Sequence, residues 1–533
     1  MITDTPRPEK TPAVQSLLET CARLCVFPGH EYSLSLGEQA VLETRPVQRM
    51  ARLRQIGLGF LVLPTAEHTR LAHSLGTAYW ASRFLEAFHT NHFADRVGDG
   101  QPPNGNRSRL AAMDSLLGPT LSLDLLVRLF ALIHDMSLLP LGHTLQFQCG
   151  YFTGPGSGPR RARFCLARLR EQLREAPALA QLHGTSQCEQ VTECLLRHLD
   201  VVECVFGVDA IVRSRSWGTT APWISPEQVA RWLPALTFIH DLIAGTVSAD
   251  LVDFSLRDSL GAGIPRSFDA TLLDSLCVFA VPPPGGAAGL VYRFGFQAVR
   301  DTFRQDVITG VVSLLRARYE LAERVFYHDD KCVADAMLDR VLRLIDAQSG
   351  TISRAAGPFE EPALLQMGDD DLLALLERKE QEARQEGAVT GGPAIMSDLL
   401  SRRLYGEVFR VSQLSALSPA GCRVVDQAHQ PQVRTEVEQQ IHKQVAGLAA
   451  PDLIFACRSL SMQAKAADTL IGWDNGTPRP LCELAQVTGY GAEALEITKC
   501  YADLWSLSVY LRPQAMDFTD QVRAVCRAMF TDP

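Results

Sequence analysis

The sequence lacks any CxxC pair, although it contains 14 cysteines. Zinc knuckles and disulfide frameworks depend on regularly spaced cysteines, so neither is indicated here. Cys21 and Cys25 have a spacing that would place them on one face of a helix, and we interpret them as free thiols in the core. The cysteines are therefore assigned no chemistry.

The sequence also lacks an excess of positive charge. Its 51 lysines and arginines are outnumbered by 60 aspartates and glutamates, which gives a net charge of -9. This balance provides no overall basic surface, so nucleic acid is not expected as a partner, although it leaves a local basic patch open.

Long apolar runs are missing as well. No uninterrupted apolar stretch reaches the roughly 20 residues that a membrane-spanning helix requires. The first stretch, MITDTPRPEKTPAVQ, carries prolines and charges instead of the apolar segment of a secretory signal. We therefore expect a soluble, cytoplasmic protein that contacts no membrane.

One almost wholly apolar run, LLVRLFALIHDMSLLPLGH, occupies Leu125–His143 and contains the pair His134–Asp135. Such a run predicts a buried helix, which tolerates a histidine and an aspartate only if something neutralises them, and a metal ion is one candidate. Pro140 and Gly142 are expected to end the helix, so that both side chains can reach one cation. An isolated His-Asp pair is more often a buried histidine that is hydrogen-bonded to its neighbour. Other stretches of the sequence must therefore decide whether this pair belongs to a metal site.

Two further stretches carry polar groups in apolar surroundings. In EHTRLAHSLGTAYWASRFLEAF, the spacing of the large apolar residues places His73 in the first turn of an amphipathic helix. In ADLVDFSLRDSL, four charged residues lie among apolar ones, where charges need partners: Asp250, Asp253, Arg257 and Asp258. We interpret the last three as an internal ion-pair network that fixes Asp250, a candidate metal ligand.

Taken in order, the motifs TRxxHSLG, IHD and ADxxDFxxRD closely resemble those of the HD superfamily of metal-dependent phosphohydrolases, and most closely the deoxynucleoside triphosphate triphosphohydrolases. RARYELAERVFYH (Arg316–His328) is similar to the family helix whose arginine meets the substrate phosphates. The resemblance covers residues 45 to 410. It implies a divalent ion, either Mn, Fe, Zn or, less readily, Mg, held by His73, His134, Asp135 and Asp250.

The resemblance also implies roles for other side chains. Arg70 and Arg318 stand where the family binds phosphate, a task that suits a fork of donors, although Arg70 could instead be a plain surface arginine. Asp135, His143 and Glu189 form the predicted catalytic set. His143 would act as a general acid or a positioning donor, or alternatively would only cap the broken helix end.

The sequence departs from the family pattern at four positions. Leu138 stands for the second histidine of HDxxH, and Cys188 for a histidine before a Glu-Gln pair. Leu251 and Phe254 stand where the family has a lysine and a tyrosine. These replacements remove candidate proton-transfer groups and one phosphate-binding cation, but they leave the metal set complete.

Two functions follow from the matches and the departures. The first is a metal-dependent phosphohydrolase acting on a nucleotide, in particular a (deoxy)nucleoside triphosphate or related phosphoester. The alternative is a nucleotide-binding sensor or scaffold protein with reduced catalysis. Because the family often forms dimers or tetramers, a homo-oligomer is expected.

The fold predicted from the sequence is mostly α. The chain has 533 residues and a hydrophobic content of 46%, which is ample for a large core. We predict an HD-domain helical core with a small β element after Pro282 and a mainly helical C-terminal appendage. The predicted divisions are an N-terminal extension (1–44), an HD phosphohydrolase-like domain (45–410) and a C-terminal region of unknown role (411–533).

Five segments receive local predictions. Residues 1–20 are expected to be mobile, and Cys25–Val41 to form a short helical or irregular cover. Pro46–Gly59 carries apolar residues at helical spacing. The Gly- and Pro-containing segment 95–118 is predicted to be an exposed loop, and the segment 152–163 a flexible lid or loop.

Overall fold

The computed structural model describes residues 8–91, 105–153, 157–182, 185–208, 225–283, 289–299, 302–385, 394–458, 468–473 and 478–532. Helices dominate these ranges, and the strands form small sheets. The prediction of a mostly α fold with a small β element and a mainly helical C-terminal region is confirmed.

The helices of eight or more residues are α1 (Arg70–Thr90), α2 (Asn106–Leu117), α3 (Leu123–Ile133), α4 (Ser157–Leu173), α5 (Thr185–Phe206), α6 (Pro226–Ala244), α7 (Ala249–Gly261), α8 (Gln305–Leu321), α9 (Asp329–Ser349), α10 (Asp369–Gln385), α11 (Pro419–Gln427), α12 (Pro431–Gln444), α13 (Leu481–Thr488), α14 (Ala492–Asp503) and α15 (Thr519–Phe530). Shorter helices cover Pro12–Leu18, Leu36–Leu42, Arg45–Gln48, Pro177–Ala180, Glu361–Leu364 and Ile395–Leu400.

The strands are β1 (Thr20–Phe27), β2 (His30–Ser35), β3 (Leu276–Val281), β4 (Val291–Gln297), β5 (Gly406–Val411), β6 (Leu453–Cys457), β7 (Leu470–Gly472), β8 (Arg479–Pro480) and β9 (Leu507–Leu511). β1 and β2 form an antiparallel hairpin. A second sheet has the order β3-β4-β7-β8, in which only the β4–β7 pair is parallel, and a third, antiparallel sheet has the order β5-β9-β6. The strand predicted after Pro282 is β4, and β7 brings the C-terminal region to its edge.

The three helices that carry the candidate ligands begin at side-chain caps. The hydroxyl oxygens of Thr69, Ser122 and Ser248 accept hydrogen bonds from backbone N–H groups in the first turns of α1, α3 and α7. Such caps satisfy backbone donors that a helix start leaves without partners. The start of each ligand helix is therefore fixed by its local sequence.

Aromatic packing joins the same helices to the second sheet. α1 packs against α3 and α7, and α6 packs on β4. The buried rings of Phe84 and Phe88 on α1 lie 5.7 Å from the rings of Phe294 on β4 and Phe238 on α6, respectively. The candidate site thus rests on a rigid apolar core, which holds ligand side chains precisely in place.

One stretch, Pro226–Gly261, is long and apolar enough to cross a membrane by length and composition. It comprises α6 and α7, and 72% of its most apolar window is buried inside the protein. Burial of this kind is typical of the core helices of a soluble protein.

The predictions for the N-terminal segments were wrong in part. A short helix does cover Leu36–Leu42, at the end of the segment expected to be a helical or irregular cover. Residues 1–7 of the segment expected to be mobile lie outside the described residues. A helix with buried Val14 and Leu17 spans Pro12–Leu18, and residues 20–35 form the β1–β2 hairpin around Gly29, whose φ of 79° favours a tight turn. Cys21 and Cys25 are exposed on β1 and are not core thiols. A spacing of four residues fits one face of a strand as well as one face of a helix, which is why it misled.

The helix predicted over Pro46–Gly59 is also broken. The structure has a short helix at Arg45–Gln48, followed by 3-10 turns at Arg49–Arg52 and Gly57–Leu61. Gly57 adopts a φ of 56°, which an α-helix does not accommodate. The large apolar side chains of the segment are nevertheless buried: Val47, Met50, Leu53, Ile56 and Leu58.

The two predicted loops are partly helical. α2 occupies Asn106–Leu117 and buries Leu110 and Met113, whereas residues 95–104 of the first predicted loop lie outside the described residues. α4 begins at Ser157 within the second predicted loop, of which residues 154–156 are not described. Arg161 is buried there against Glu361, an ion pair that orders the helix start.

Candidate metal centre

Three elements far apart in the sequence bring His73, His134 and Asp250 together. His73 lies in the first turn of α1, as predicted, His134 directly follows α3, and Asp250 lies in the first turn of α7. One donor atom from each of the three lies within 4.8 Å of the others. The Asp250 Oδ1 atom is 3.0 Å from Nε2 of His73 and 3.8 Å from Nε2 of His134. These donors surround a common point that a cation could occupy.

The backbone fixes the orientation of the His134 ring. Its Nδ1 atom lies 2.8 Å from the carbonyl oxygen of Ala131, and since a carbonyl only accepts, Nδ1 carries the proton. The Nε2 atom is buried and has no hydrogen-bond partner among the described residues. A buried ring nitrogen without a partner is unfavourable unless a metal ion or a proton satisfies it.

α3 ends at Ile133, well before the expected stop at Pro140 and Gly142. The turn after α3 begins at His134, so the hydrogen bond from the His134 ring to the Ala131 carbonyl oxygen forms where the helix ends. Gly142 instead leaves space for the Arg70 side chain. It adopts a φ of 49°, and a Cβ atom there would lie 3.2 Å from the Arg70 guanidinium.

A carboxylate on α7 fixes the His73 ring in a similar way. Its Nδ1 atom donates to Oδ2 of Asp253 at 2.8 Å, and Arg257 holds that carboxylate at 2.9 and 3.0 Å. The predicted ion-pair network therefore exists, but it orients His73 and not Asp250, and Asp258 pairs instead with His68. Hydrogen bonding from a carboxylate to a ligand histidine is a common feature of metal sites.

Asp135 and Arg70 form the wall beside the three donors. The Arg70 guanidinium donates to Oδ2 of Asp135 at 2.7 Å and to the backbone oxygen of Gln55 at 2.8 Å. Asp135 lies 3.7 Å from Nε2 of His134 and 3.9 Å from Nε2 of His73, so it is adjacent to the three-residue group. Arg70 is only 5% exposed, which excludes the alternative of a plain surface arginine.

The electrostatics of the cluster favour a bound positive charge. Burial alone would raise the pKa of Asp250, but the neighbouring imidazoles of His134 and His73 hold it well below its usual range. Burial opposes charge on His73, yet hydrogen bonds to Asp250 and Asp253 raise its pKa to about 10. The pKa of Asp135, also opposed by burial, falls to about 2 beside His134 and Arg70. The carboxylates thus stay ionised and need cationic partners, which protons or a divalent ion can supply.

His143 is exposed beyond this cluster, with its ring 5.2 Å from the ring of exposed Phe147. Although solvent reaches the ring, the surrounding protein atoms and the Arg70 guanidinium lower the pKa of His143 to about 4. The imidazole is therefore neutral at pH 7. An anionic ligand would raise this pKa and favour the protonated form.

The structure does not bring Glu189 or Arg318 into contact with the cluster. Glu189 is exposed near the start of α5, and Arg318 is half-buried on α8 beside the phenol of Tyr501. Among the described residues, neither has a hydrogen bond or ion pair to the candidate ligands. Their catalytic and phosphate-binding roles stay predictions.

Sequence reasoning missed three contributors to the site. The carbonyl oxygens of Ala131 and Gln55 orient His134 and Arg70, and backbone groups leave no signal in side-chain patterns. The third is Lys331 on α9, whose buried charge acts on His143. The sequence signal for Lys331 is its position, since it is a charged residue directly before the apolar residues of a predicted helix.

Comparison with known proteins gives little functional information. No family model matches the chain. An uncharacterized protein of Methanocaldococcus jannaschii is 22% identical over 312 residues, which are 57% of this chain and 46% of that protein. The match thus spans less than half the length of that relative.

Proposed function

We propose that the protein is an HD-type metal-dependent phosphohydrolase that acts on a nucleotide, in particular a (deoxy)nucleoside triphosphate or a related phosphoester, in the cytoplasm. The observation that carries this proposal is the convergence of His73, His134 and Asp250, with one buried imidazole nitrogen left unpartnered. The order of the motifs along the chain supports the same reaction class.

The donor set fits a divalent metal ion. His73, His134 and Asp250 would hold it, with Asp135 as a further carboxylate within reach, and mixed nitrogen and oxygen donors suit Mn, Fe or Zn, and less readily Mg. When bound, such an ion supplies Lewis-acid chemistry, which activates water and offsets charge on a phosphoryl oxygen.

The chain itself would bind and position the substrate. The buried Arg70 guanidinium, fixed by Asp135 and Gln55, presents positive charge beside the metal ligands, and its Nε atom has no partner among the described residues. Exposed His143 would approach the phosphate from the solvent side. Once an anion raises its pKa, it can donate a proton or a hydrogen bond to the leaving oxygen.

The proposal is tested by elemental analysis of the purified protein, followed by a nucleotide and phosphoester screen in which the products are identified. We expect a bound divalent ion and metal-dependent release of phosphate, pyrophosphate or triphosphate. The double variant His134→Ala/Asp135→Ala should lose both, whereas the control His30→Ala, at an exposed histidine, should retain both. Absence of any product from the metal-loaded protein across the panel would refute the enzyme.

A nucleotide sensor or scaffold is the second candidate, favoured by one feature. Leu251, at the position of the family lysine, is 1% exposed and packs in the core, so it offers the substrate no charge. A sensor would be stabilised by nucleotide, by about 3 kcal/mol at a hundredfold excess over the dissociation constant, without forming product. Metal-dependent turnover would exclude this alternative.

A further inference from the structure

Lys331 is a buried cation whose hydrogen-bonding capacity is mostly unused. It lies in the first turn of α9 and is 6% exposed. Its ammonium donates to Oδ2 of Asp335 at 2.7 Å, the one acceptor that the structure shows for it among the described residues. An ammonium group carries three N–H donors, so two remain for another acceptor.

The position of Lys331 links it to the candidate metal centre. The Oδ1 atom of Asp335 accepts a hydrogen bond from the Thr144 hydroxyl at 3.1 Å, and Thr144 directly follows His143. The Lys331–Asp335 pair is therefore attached to the segment that carries the candidate general acid. Arg70 approaches the same segment from the metal ligands, since its guanidinium pairs with Asp135 and lies against Gly142, which directly precedes His143.

Two cations therefore approach the segment Gly142–Thr144. A Cβ atom on Gly142 would lie 3.2 Å from the Arg70 guanidinium, and Lys331 is joined to Thr144 through Asp335. Two cations near one segment beside the candidate metal ligands suit a substrate with several phosphates.

We propose that Lys331 binds a phosphate oxygen of the substrate and supplies the cation that Leu251 cannot. This inference rests on the proposed function, because it assumes that the anion at the metal centre is a phosphate. Asp335 holds the ammonium in place in the free protein, and the remaining N–H donors then take the phosphate oxygen. Lys331 would thereby be a substrate-binding residue on an element that the sequence motifs do not include.

The test is the affinity for inorganic tripolyphosphate, measured by titration calorimetry on the manganese-loaded, full-length protein. Lys331→Met alone leaves Asp335 buried without its cation and could unfold the protein, so the double variant Lys331→Met/Asp335→Asn is measured as well. The control is Lys499→Met, at a lysine whose side chain is 72% exposed. We expect the double variant to bind roughly tenfold more weakly or worse, and the control to bind like the wild type.

The outcomes separate this inference from the proposed reaction. Equal tripolyphosphate affinity in the wild type and the folded double variant, or no binding by the wild type, would overturn the role of Lys331. If the wild type hydrolyses nucleotides in that case, the hydrolase proposal stands. If the double variant loses affinity while the wild type forms no product, Lys331 binds phosphate in a protein that is not a hydrolase.

Discussion

At the scale of single residues, the imidazoles of the site are oriented by groups that are not metal ligands. Asp253 accepts from Nδ1 of His73 and is 0% exposed, and Arg257 balances its charge. This arrangement keeps Nε2 of His73 directed at Asp250. The affinity for a metal should therefore depend on Asp253 although it would not touch the ion.

Asp253→Asn should lower the affinity for Mn or Zn by about tenfold to a hundredfold, because an amide is a weaker acceptor for the His73 proton and does not balance Arg257. Titration calorimetry with the purified protein measures this. Asp258→Asn is the matched control, since Asp258 lies on the same helix and contacts His68, outside the metal cluster. If both variants lost the same metal affinity, the loss would come from a general disturbance of α7 and not from the missing His73–Asp253 hydrogen bond.

A second residue-scale prediction concerns His198, which is buried in α5. Its Nδ1 atom donates to the Cys194 carbonyl oxygen at 2.8 Å, and its Nε2 atom accepts from the backbone N–H of Ser122 at 3.0 Å. Because burial disfavours the charged ring, the pKa of His198 falls to about 4. The ring is neutral in the folded protein, and that state suits both of its hydrogen bonds.

Since the folded pKa of His198 lies below its ordinary value of 6.5, its contribution to stability is present above pH 6.5 and is lost as the pH falls towards 4. The loss should be about 3 kcal/mol. Urea unfolding at pH 4 and pH 7 measures it, with His198→Gln expected to be less stable at pH 7 and to show a correspondingly flatter pH dependence. Exposed His30→Gln serves as the control, and an unchanged slope in His198→Gln would contradict the assignment.

At the scale of elements, α1 and α7 approach each other closely at one glycine. A Cβ atom on Gly76 of α1 would lie 1.7 Å from Oδ1 of Asp253 and 2.5 Å from the Arg257 guanidinium. The glycine therefore gives the buried ion pair its space. In most helix interiors, alanine would be the more favourable residue.

Gly76→Ala should destabilise the protein by about 3 kcal/mol and weaken metal binding, because the methyl group displaces a buried, charged network. The matched control is Gly158→Ala in the first turn of α4, where a Cβ atom meets nothing within 4 Å. This variant should be neutral or more stable by up to about 1 kcal/mol. Thermal and urea unfolding compare the two, and similar values would mean that α1 and α7 are further apart than described.

At the scale of the whole molecule, a buried charge network joins α9 to the C-terminal region. Arg343 on α9 donates to Asp339 on the same helix at 2.9 Å and to Glu438 on α12 at 2.8 and 2.7 Å. Arg434 on α12 reaches back to Asp339 at 2.8 Å. Arg340 on α9 also pairs with Glu438, at 3.0 Å, so each carboxylate is shared between two arginines. The network fixes α12 against the helix that carries Lys331.

Arg343→Met should destabilise the protein by about 3 kcal/mol, because two buried carboxylates lose a shared partner. Arg83→Met is the control, since the Arg83–Glu86 pair has side chains 46% and 62% exposed and should contribute less than about 1 kcal/mol. Urea unfolding measures both variants. Equal stability of Arg343→Met and the wild type would show that the network does not hold the C-terminal region in place.

Features of the protein that depend on local sequence could be predicted without the structure. The caps at Thr69, Ser122 and Ser248, the apolar periodicity of α1 and the mostly α composition come from neighbours along the chain. The order of the candidate ligands is likewise visible, because motif spacing is a property of the sequence. Where local signals are ambiguous, as at Cys21 and Cys25, prediction was wrong since one spacing fits both helix and strand.

Contacts between distant residues were decided by the tertiary structure alone. The His73–Asp253 bond joins residues 180 positions apart, and the Arg70–Asp135 pair spans 65 positions. Such partners depend on the angles at which α1, α3 and α7 pack, which no local pattern encodes. For the same reason, the sequence determined which residue types are available for a metal ion, whereas helix packing decided which atoms face one another.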